Sequence, residues 1–174
     1  MVAPGALSLE LWMKSNTSGP TWGAIVSKQP WNLRWDLILD GSGNLVWRGL
    51  RYPAYWHRWP ERFGFVAPLR GLRTIWVHAV SVGEVRSAAP LILALADRYP
   101  QHQLVVTTMT PTGSAQVRDL CGDRVTHCYV PYDLPDAVRR FLDRVRPEIA
   151  IVAETEFWPN IFGECGRRGI PLLL

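Results

Sequence analysis

Three short segments carry side chains that could do chemistry. In Ser81-Val82-Gly83-Glu84 a carboxylate directly follows a glycine. A carboxylate so placed can take a proton from a ligand hydroxyl, and the glycine lets a ligand approach the backbone closely. In residues 107–114, TTMTPTGS, hydroxyl side chains surround Pro111, a residue suited to the first position of a helix. Such a run can offer side-chain and backbone donors to an anionic group. In residues 154–160, ETEFWPN, Glu154 and Glu156 stand two apart beside an aromatic pair. Loss of water there raises a carboxylate's proton affinity and readies it for proton transfer. Each segment also has a plainer account. A first-turn Glu84 complements the helix macrodipole, typically by about 0.3–1 kcal/mol. Thr110 or Thr112 serves as a helix N-cap. Glu156 at a strand end faces solvent, and Pro159 marks a helix start. The residue types alone leave both accounts open.

What must position these segments is an alternation of strands and helices after Thr74. Residues 75–80 form an apolar run, and residues 83–98 place Val85, Ala88, Ile92 and Leu95 on one helical face. The unit then repeats. Strands are expected at 104–109, 127–130, 149–153 and 170–174, with helices at 112–120 and 135–145 and another starting near Pro159. Alternating strands and helices imply βαβ units, a mostly parallel Rossmann-like sheet and right-handed crossovers, so the expected fold class is α/β. In open sheets of this kind ligands gather at the carboxyl ends of the strands, and all three segments fall there. The final Pro171-Leu172-Leu173-Leu174 reads as a buried strand at its beginning, so the chain is expected to be truncated there.

The rest of the composition narrows the possibilities. The 174 residues are 48% hydrophobic and 20% charged, a globular balance with room for one domain and an appendage. The net charge of +4 favours anionic partners. Cys121, Cys128 and Cys165 have neither metal-ligand spacing nor a paired framework, so no metal site, cofactor or disulfide is expected and the compartment reads as reducing. No stretch reaches the roughly 18 consecutive apolar residues of a membrane span.

Seven of the nine tryptophans lie in the first 59 residues, which sets the N-terminal part apart from the rest. Alternating apolar residues around Asp40-Gly41-Ser42-Gly43-Asn44 predict a hairpin, and residues 1–47 read as a β-like appendage. Residues 48–73 follow with six arginines and Glu61 as their sole acid, interleaved with aromatics. That mixture suits a lipid headgroup layer, with Arg48, Arg51, Trp56, Arg58, Trp59 and Arg62 facing the membrane. Nucleic acid can use the same residue types, and so can a solvated connector.

Four stretches together, RGLRYPAYWHRWPERFGF (48–65), VHAVSVGEVRSAAPLILALADRYP (77–100), VVTTMTPTGSAQVRDLCGDRVTHCYVPYDLPDAVRRFLDRVRP (105–147) and AETEFWPN (153–160), resemble the 3-deoxy-D-manno-octulosonic acid (Kdo) transferases of lipid A biosynthesis. The likeness is nearly continuous from about Trp47 to Leu174. It implies the N-terminal, acceptor-binding half of a two-lobed GT-B glycosyltransferase, with residues 74–174 as that lobe. Glu84 matches the family's proton acceptor and Glu154 its transition-state stabiliser. Ser81, Gly83, Thr108, Thr110, Thr112, Gly113 and Glu156 are then expected to bind the acceptor. The implied partners are CMP-Kdo, a lipid A precursor such as lipid IVA and an anionic membrane surface, with no nucleic acid, at the cytoplasmic face of a bacterial inner membrane. No cofactor or metal is implied. Two features depart from the family: no membrane helix precedes the basic stretch, and Pro60 stands where glycine is usual. The donor-binding lobe is expected to lie beyond Leu174, leaving these residues alone inactive or nearly so. The alternative is a non-catalytic lipid-surface binding module that retains only the acceptor lobe.

Overall fold

A computed structural model describes residues 37–39, 45–47, 53–69, 73–153 and 158–174. The chain forms two compact units, Met1–His57 and Arg58–Leu174. In the first, β1 (Leu37–Leu39) pairs antiparallel with β2 (Leu45–Trp47), with Ile38 opposite Val46. This is the hairpin expected from the alternating apolar residues. A single 3₁₀ turn, Pro53–Trp56, follows.

The second unit holds a five-stranded sheet in which every pairing is parallel. Its elements run β3 (Arg73–His78), α1 (Val82–Arg98), β4 (His102–Thr108), α2 (Pro111–Cys121), β5 (Thr126–Tyr129), α3 (Pro135–Val145), β6 (Pro147–Val152), α4 (Pro159–Arg167) and β7 (Leu172–Leu173). The strands differ from the expected ranges by a few residues at their ends. Three helices begin with proline, where the missing N–H has no intrahelical partner to lose.

Side chains of β3 alternate between two cores. Ile75 and Val77 pack with Val85, Ala88 and Ile92 of α1 and Val117 of α2. Trp76 packs on the other face with Val138, Phe141 and Leu142 of α3 and Ile161 of α4. Both faces of the sheet are therefore covered, which explains the near-continuous apolar runs in the strands. The strand order is β5-β4-β3-β6-β7. From β3 the chain adds β4 and β5 on one side and β6 and β7 on the other, so the carboxyl ends of β3 and β6 form the switch point at which ligands bind in such sheets.

Residues 58–69 cross the β5 edge and run beside α3 as a strap. A strand edge exposes unpaired backbone groups that must be satisfied or screened. Arg58 donates from Nη2 to His127 O at 2.7 Å, and Tyr129 N donates to Glu61 Oε2 at 2.8 Å. The two side chains join in a forked ion pair, Nε to Oε1 at 2.8 Å and Nη2 to Oε2 at 2.9 Å. They thus take the place of a neighbouring strand. Farther on, Arg140 donates to Phe63 O and Arg144 to Val66 O, and Leu69 N donates to Arg144 O at 3.0 Å. Val66 enters the core beside Trp76 and Phe141. Gly64 permits this close approach: its φ is +79°, and a Cβ there would lie 2.2 Å from Ala137 O.

Candidate functional site

Three backbone links join the strand ends at the switch point beside β3. Ala79 N donates to Thr107 O at 2.9 Å, Met109 N to Val80 O at 3.0 Å, and Ala153 N to His78 O at 2.8 Å. They carry the first two chemistry-bearing segments to one end of the sheet and bring residue 153 beside them. Glu154, Thr155, Glu156 and Phe157 lie outside the described residues, as do Arg48 and Arg51.

Glu84 sits in the first turn of α1 and is 8% exposed. Its Oε2 accepts from Val80 N at 2.5 Å and its Oε1 from the Ser81 hydroxyl at 3.1 Å. Ser81 is the N-cap, so Ser81 and Glu84 have the spacing of a capping box, with the serine hydroxyl turned onto the carboxylate instead of onto the helix amides. Each carboxylate oxygen has two acceptor directions, and among the described residues one hydrogen bond is made to each. Capping fixes the carboxylate without exhausting it. Gly83 is exposed, and a Cβ added there would meet only Ser81 Oγ, at 3.9 Å. Among the described residues no packing demands a glycine at that position.

The threonine loop divides into an outward and an inward set. Thr110 caps α2 by accepting from Gly113 N at 3.0 Å, as one account of the sequence anticipated. Thr112 is exposed and Thr110 half-buried. Thr108 and Gly113, also expected to bind the acceptor, are buried. A Cβ on Gly113 would lie 3.2 Å from Thr108 Cβ, so glycine serves the packing of α2 onto β4. The Thr108 hydroxyl contacts His127 Nε2 at 3.0 Å.

His127 fixes its own tautomer. Arg58 presents Nη1 and Nη2 to Nδ1, each at 3.1 Å, and a guanidinium can only donate. Nδ1 therefore carries a lone pair, and Nε2 carries the proton that it donates to Thr108. Burial, followed by the charges of Arg58 and Arg118, pushes the His127 pKa down to about 3. His78, the last residue of β3, is 1% exposed with its pKa pushed down to about 4 by burial, against a smaller opposing effect from the Thr107 backbone. Its Nδ1 lies 2.9 Å from Thr107 Oγ1, which also accepts from Trp76 Nε1 at 2.9 Å. His78 packs edge-on to Trp158, with ring centroids 5.3 Å apart.

The strap overturns part of the expected membrane face. Arg62 is 2% exposed. Its Nη2 donates to Met109 O at 2.9 Å, and its guanidinium lies 4.3 Å from the Tyr129 ring centroid and 6.0 Å from that of Tyr132. Aromatic faces and a carbonyl replace the water that an outward arginine would have had. Arg58 is likewise committed to Glu61 and His127. Trp59 packs edge-on against Phe63 at 5.0 Å, while Trp56 is 44% exposed. Elsewhere in the second unit an exposed aromatic stands beside two half-buried arginines. Phe65, 51% exposed, has Arg140 4.2 Å and Arg144 5.8 Å from its ring centroid. The two α3 arginines carried no sequence signal, because only the fold brings them to the strap.

Asp133, 2% exposed, was also missed from the sequence. Its carboxylate accepts from Asn160 N at 2.9 Å and Ile161 N at 2.8 Å, and so caps α4 from a loop 27 residues earlier. It positions the helix that follows Glu154 and Glu156 in the chain. Among the described residues, no group of three or more His, Cys, Asp or Glu side chains is arranged to hold a metal ion, and no helix is long and apolar enough to cross a membrane.

The geometry can be set beside known proteins. A sequence profile for the family described as 3-deoxy-D-manno-octulosonic-acid transferase (kdotransferase) matches residues 57–174. A 3-deoxy-D-manno-octulosonic acid transferase of Haemophilus influenzae is 42% identical over 130 residues, which cover 72% of this chain and 30% of that protein. One from Bordetella pertussis is 36% identical over 152 residues, covering 79% of this chain and 35% of the relative. A probable mitochondrial 3-deoxy-D-manno-octulosonic acid transferase of Arabidopsis thaliana is 35% identical over 130 residues, 74% of this chain and 29% of the relative. The chain thus spans about a third of the length of these curated relatives.

Proposed function

The chain belongs to the Kdo transferase family, and from that premise we propose that it is the acceptor-side lobe of an inverting glycosyltransferase. The donor is CMP-Kdo and the acceptor a lipid A precursor such as lipid IVA. The observation that carries this reading is the Glu84 carboxylate, held by Val80 N and Ser81 Oγ beside an exposed glycine at the switch point of a parallel sheet. Glu84 accepts the proton of the acceptor sugar hydroxyl as its oxygen attacks the anomeric carbon of Kdo. The bond from that carbon to the CMP phosphate breaks, and CMP leaves with the electron pair. Glu154 stabilises the transition state. Ser81, Gly83, Thr110, Thr112 and Glu156 contact the acceptor, while Thr108 and Gly113 shape the loop from beneath. The donor is assigned to residues outside these 174, in keeping with the relatives' greater length.

The membrane partner in this proposal is the anionic inner leaflet, met in the second unit by Phe65, Arg140 and Arg144. An exposed aromatic flanked by two guanidinium groups supports that reading. The same cluster favours the second reading, a lipid-surface binding module without catalysis.

One experiment separates them. The chain is joined to the remaining C-terminal portion of the Haemophilus influenzae relative and given CMP-Kdo with a lipid A precursor. Kdo transfer that falls at least about a hundredfold in Glu84→Gln is expected for loss of a general base. Full activity in Glu84→Gln removes the base assignment. Salt-sensitive binding to vesicles containing phosphatidylglycerol, without transfer in the fused protein, favours the binding module.

A further inference from the structure

Arg62 lies outside the three segments at the strand ends, yet it stands at one end of a chain of hydrogen bonds that finishes on the Glu84 carboxylate. Its Nη2 donates to Met109 O at 2.9 Å. Met109 N donates to Val80 O at 3.0 Å. Val80 N donates to Glu84 Oε2 at 2.5 Å. Two loop residues, each used through both its N–H and its carbonyl, therefore connect the strap to the switch point.

We infer that Arg62 is a positioning residue for Glu84, setting the direction of its carboxylate through the backbones of Met109 and Val80. This rests on the reading of Glu84 as proton acceptor. An arginine is almost never so fully buried unless it is held by specific partners. Here the flat face of the guanidinium lies over Tyr129 and its edge meets the Met109 carbonyl. The strap backbone is tied in turn, since Tyr132 N donates to Arg62 O at 2.7 Å. The guanidinium consequently has little freedom to move, and neither does the carbonyl it holds. A second link points the same way. Arg58 orders His127, whose Nε2–H meets Thr108, and the Thr108 hydroxyl contacts Thr110 O at 3.3 Å. Met109 is thus bracketed on both sides by residues that the strap controls. Lysine cannot replace Arg62 fully, because an ammonium lacks both the planar face and the fixed fork of donors.

Amide hydrogen exchange on the full chain tests this without substrate. In Arg62→Met, the Met109 and Val80 amides should exchange about tenfold faster, because the loop opens locally once its carbonyl anchor is lost. The Phe141 amide, inside α3, should stay within about twofold of wild type and so report that global stability is unchanged. Arg62→Lys should give an intermediate acceleration of about threefold at Met109 and Val80. Glu84→Ala should accelerate Val80 alone, since it removes only the last bond. Equal acceleration of all three amides in Arg62→Met would reduce Arg62 to a general stabiliser and overturn the inference, as would an unchanged Val80. If Arg62→Met does not fold, Arg62→Lys decides: Val80 must exchange faster than in wild type while Phe141 does not. Loss of the Glu84 role in the transfer assay would leave these exchange rates as they are, so the two readings fail separately.

Discussion

Gly64→Ala is the sharpest test of how the strap is held. A Cβ at that position would lie 2.2 Å from Ala137 O, 3.2 Å from Ala137 C and 2.9 Å from Phe141 N. All three are backbone atoms of α3, so no side-chain rotation relieves the contact. The residue also has φ +79°, which costs an alanine about 1–2 kcal/mol. Relief requires the strap to lift by about 1 Å, to an ordinary carbon–oxygen separation of roughly 3.2 Å or more. That movement weakens the bonds from Arg140 to Phe63 O and from Arg144 to Val66 O, each a net contribution of about 1 kcal/mol. Against this, replacing glycine reduces unfolded-state entropy and returns about 0.4–1 kcal/mol. The expected net loss is roughly 3 kcal/mol. Urea unfolding followed by circular dichroism measures it, with an unchanged denaturant slope confirming that the same surface is exposed. Gly163→Ala is the control. That glycine lies in α4 with nothing within 4 Å of an added Cβ, so the substitution should stabilise by about 0.5–1 kcal/mol. A loss below about 1 kcal/mol for Gly64→Ala, or an equal loss for Gly163→Ala, would refute the close-approach account.

Acid should destabilise the chain through two histidines held neutral in the folded state. The His78 and His127 pKa values, about 4 and about 3, lie below the ordinary value of 6.5. Between 6.5 and those values the unfolded chain binds more protons, so stability falls as pH falls. Moving from pH 7 to pH 5 should cost about 2 kcal/mol for each histidine. Urea midpoints at the two pH values for wild type and His127→Gln check this, and an identical pH dependence in the two proteins counts against the account of His127. Asp133→Ala should cost about 2 kcal/mol by uncapping α4, with Asp133→Asn costing less because an amide oxygen can still accept from the helix. Thermal unfolding distinguishes the two, and a loss under about 0.5 kcal/mol for Asp133→Ala would show that the cap contributes little.

The sequence alone determined the local structure of the second unit. Pro111, Pro135 and Pro159 mark helix starts, and Thr110 announces its cap three residues before Gly113. The period of Val85, Ala88 and Ile92 marks the buried face of α1. Such signals work because backbone restriction, capping and amphipathic burial act within a few residues. Their sum was enough to indicate a parallel α/β sheet and to put Glu84 and the threonine run at strand ends. The family resemblance extended that reading to a chemical role.

Tertiary structure decided which side chains meet. Strand order is set by pairings between distant segments, and it puts the switch point between β3 and β6. The direction of Arg62 could not be read from its neighbours, because an arginine among aromatics suits a headgroup layer and a buried aromatic cage equally well. The choice depends on Met109, 47 residues away, and on Tyr129. Asp133 likewise gives no local sign that it caps a helix beginning well down the chain. Charge and hydrogen-bonding capacity belong to a residue type and travel with the sequence, whereas the partner that satisfies them is supplied by packing across the fold.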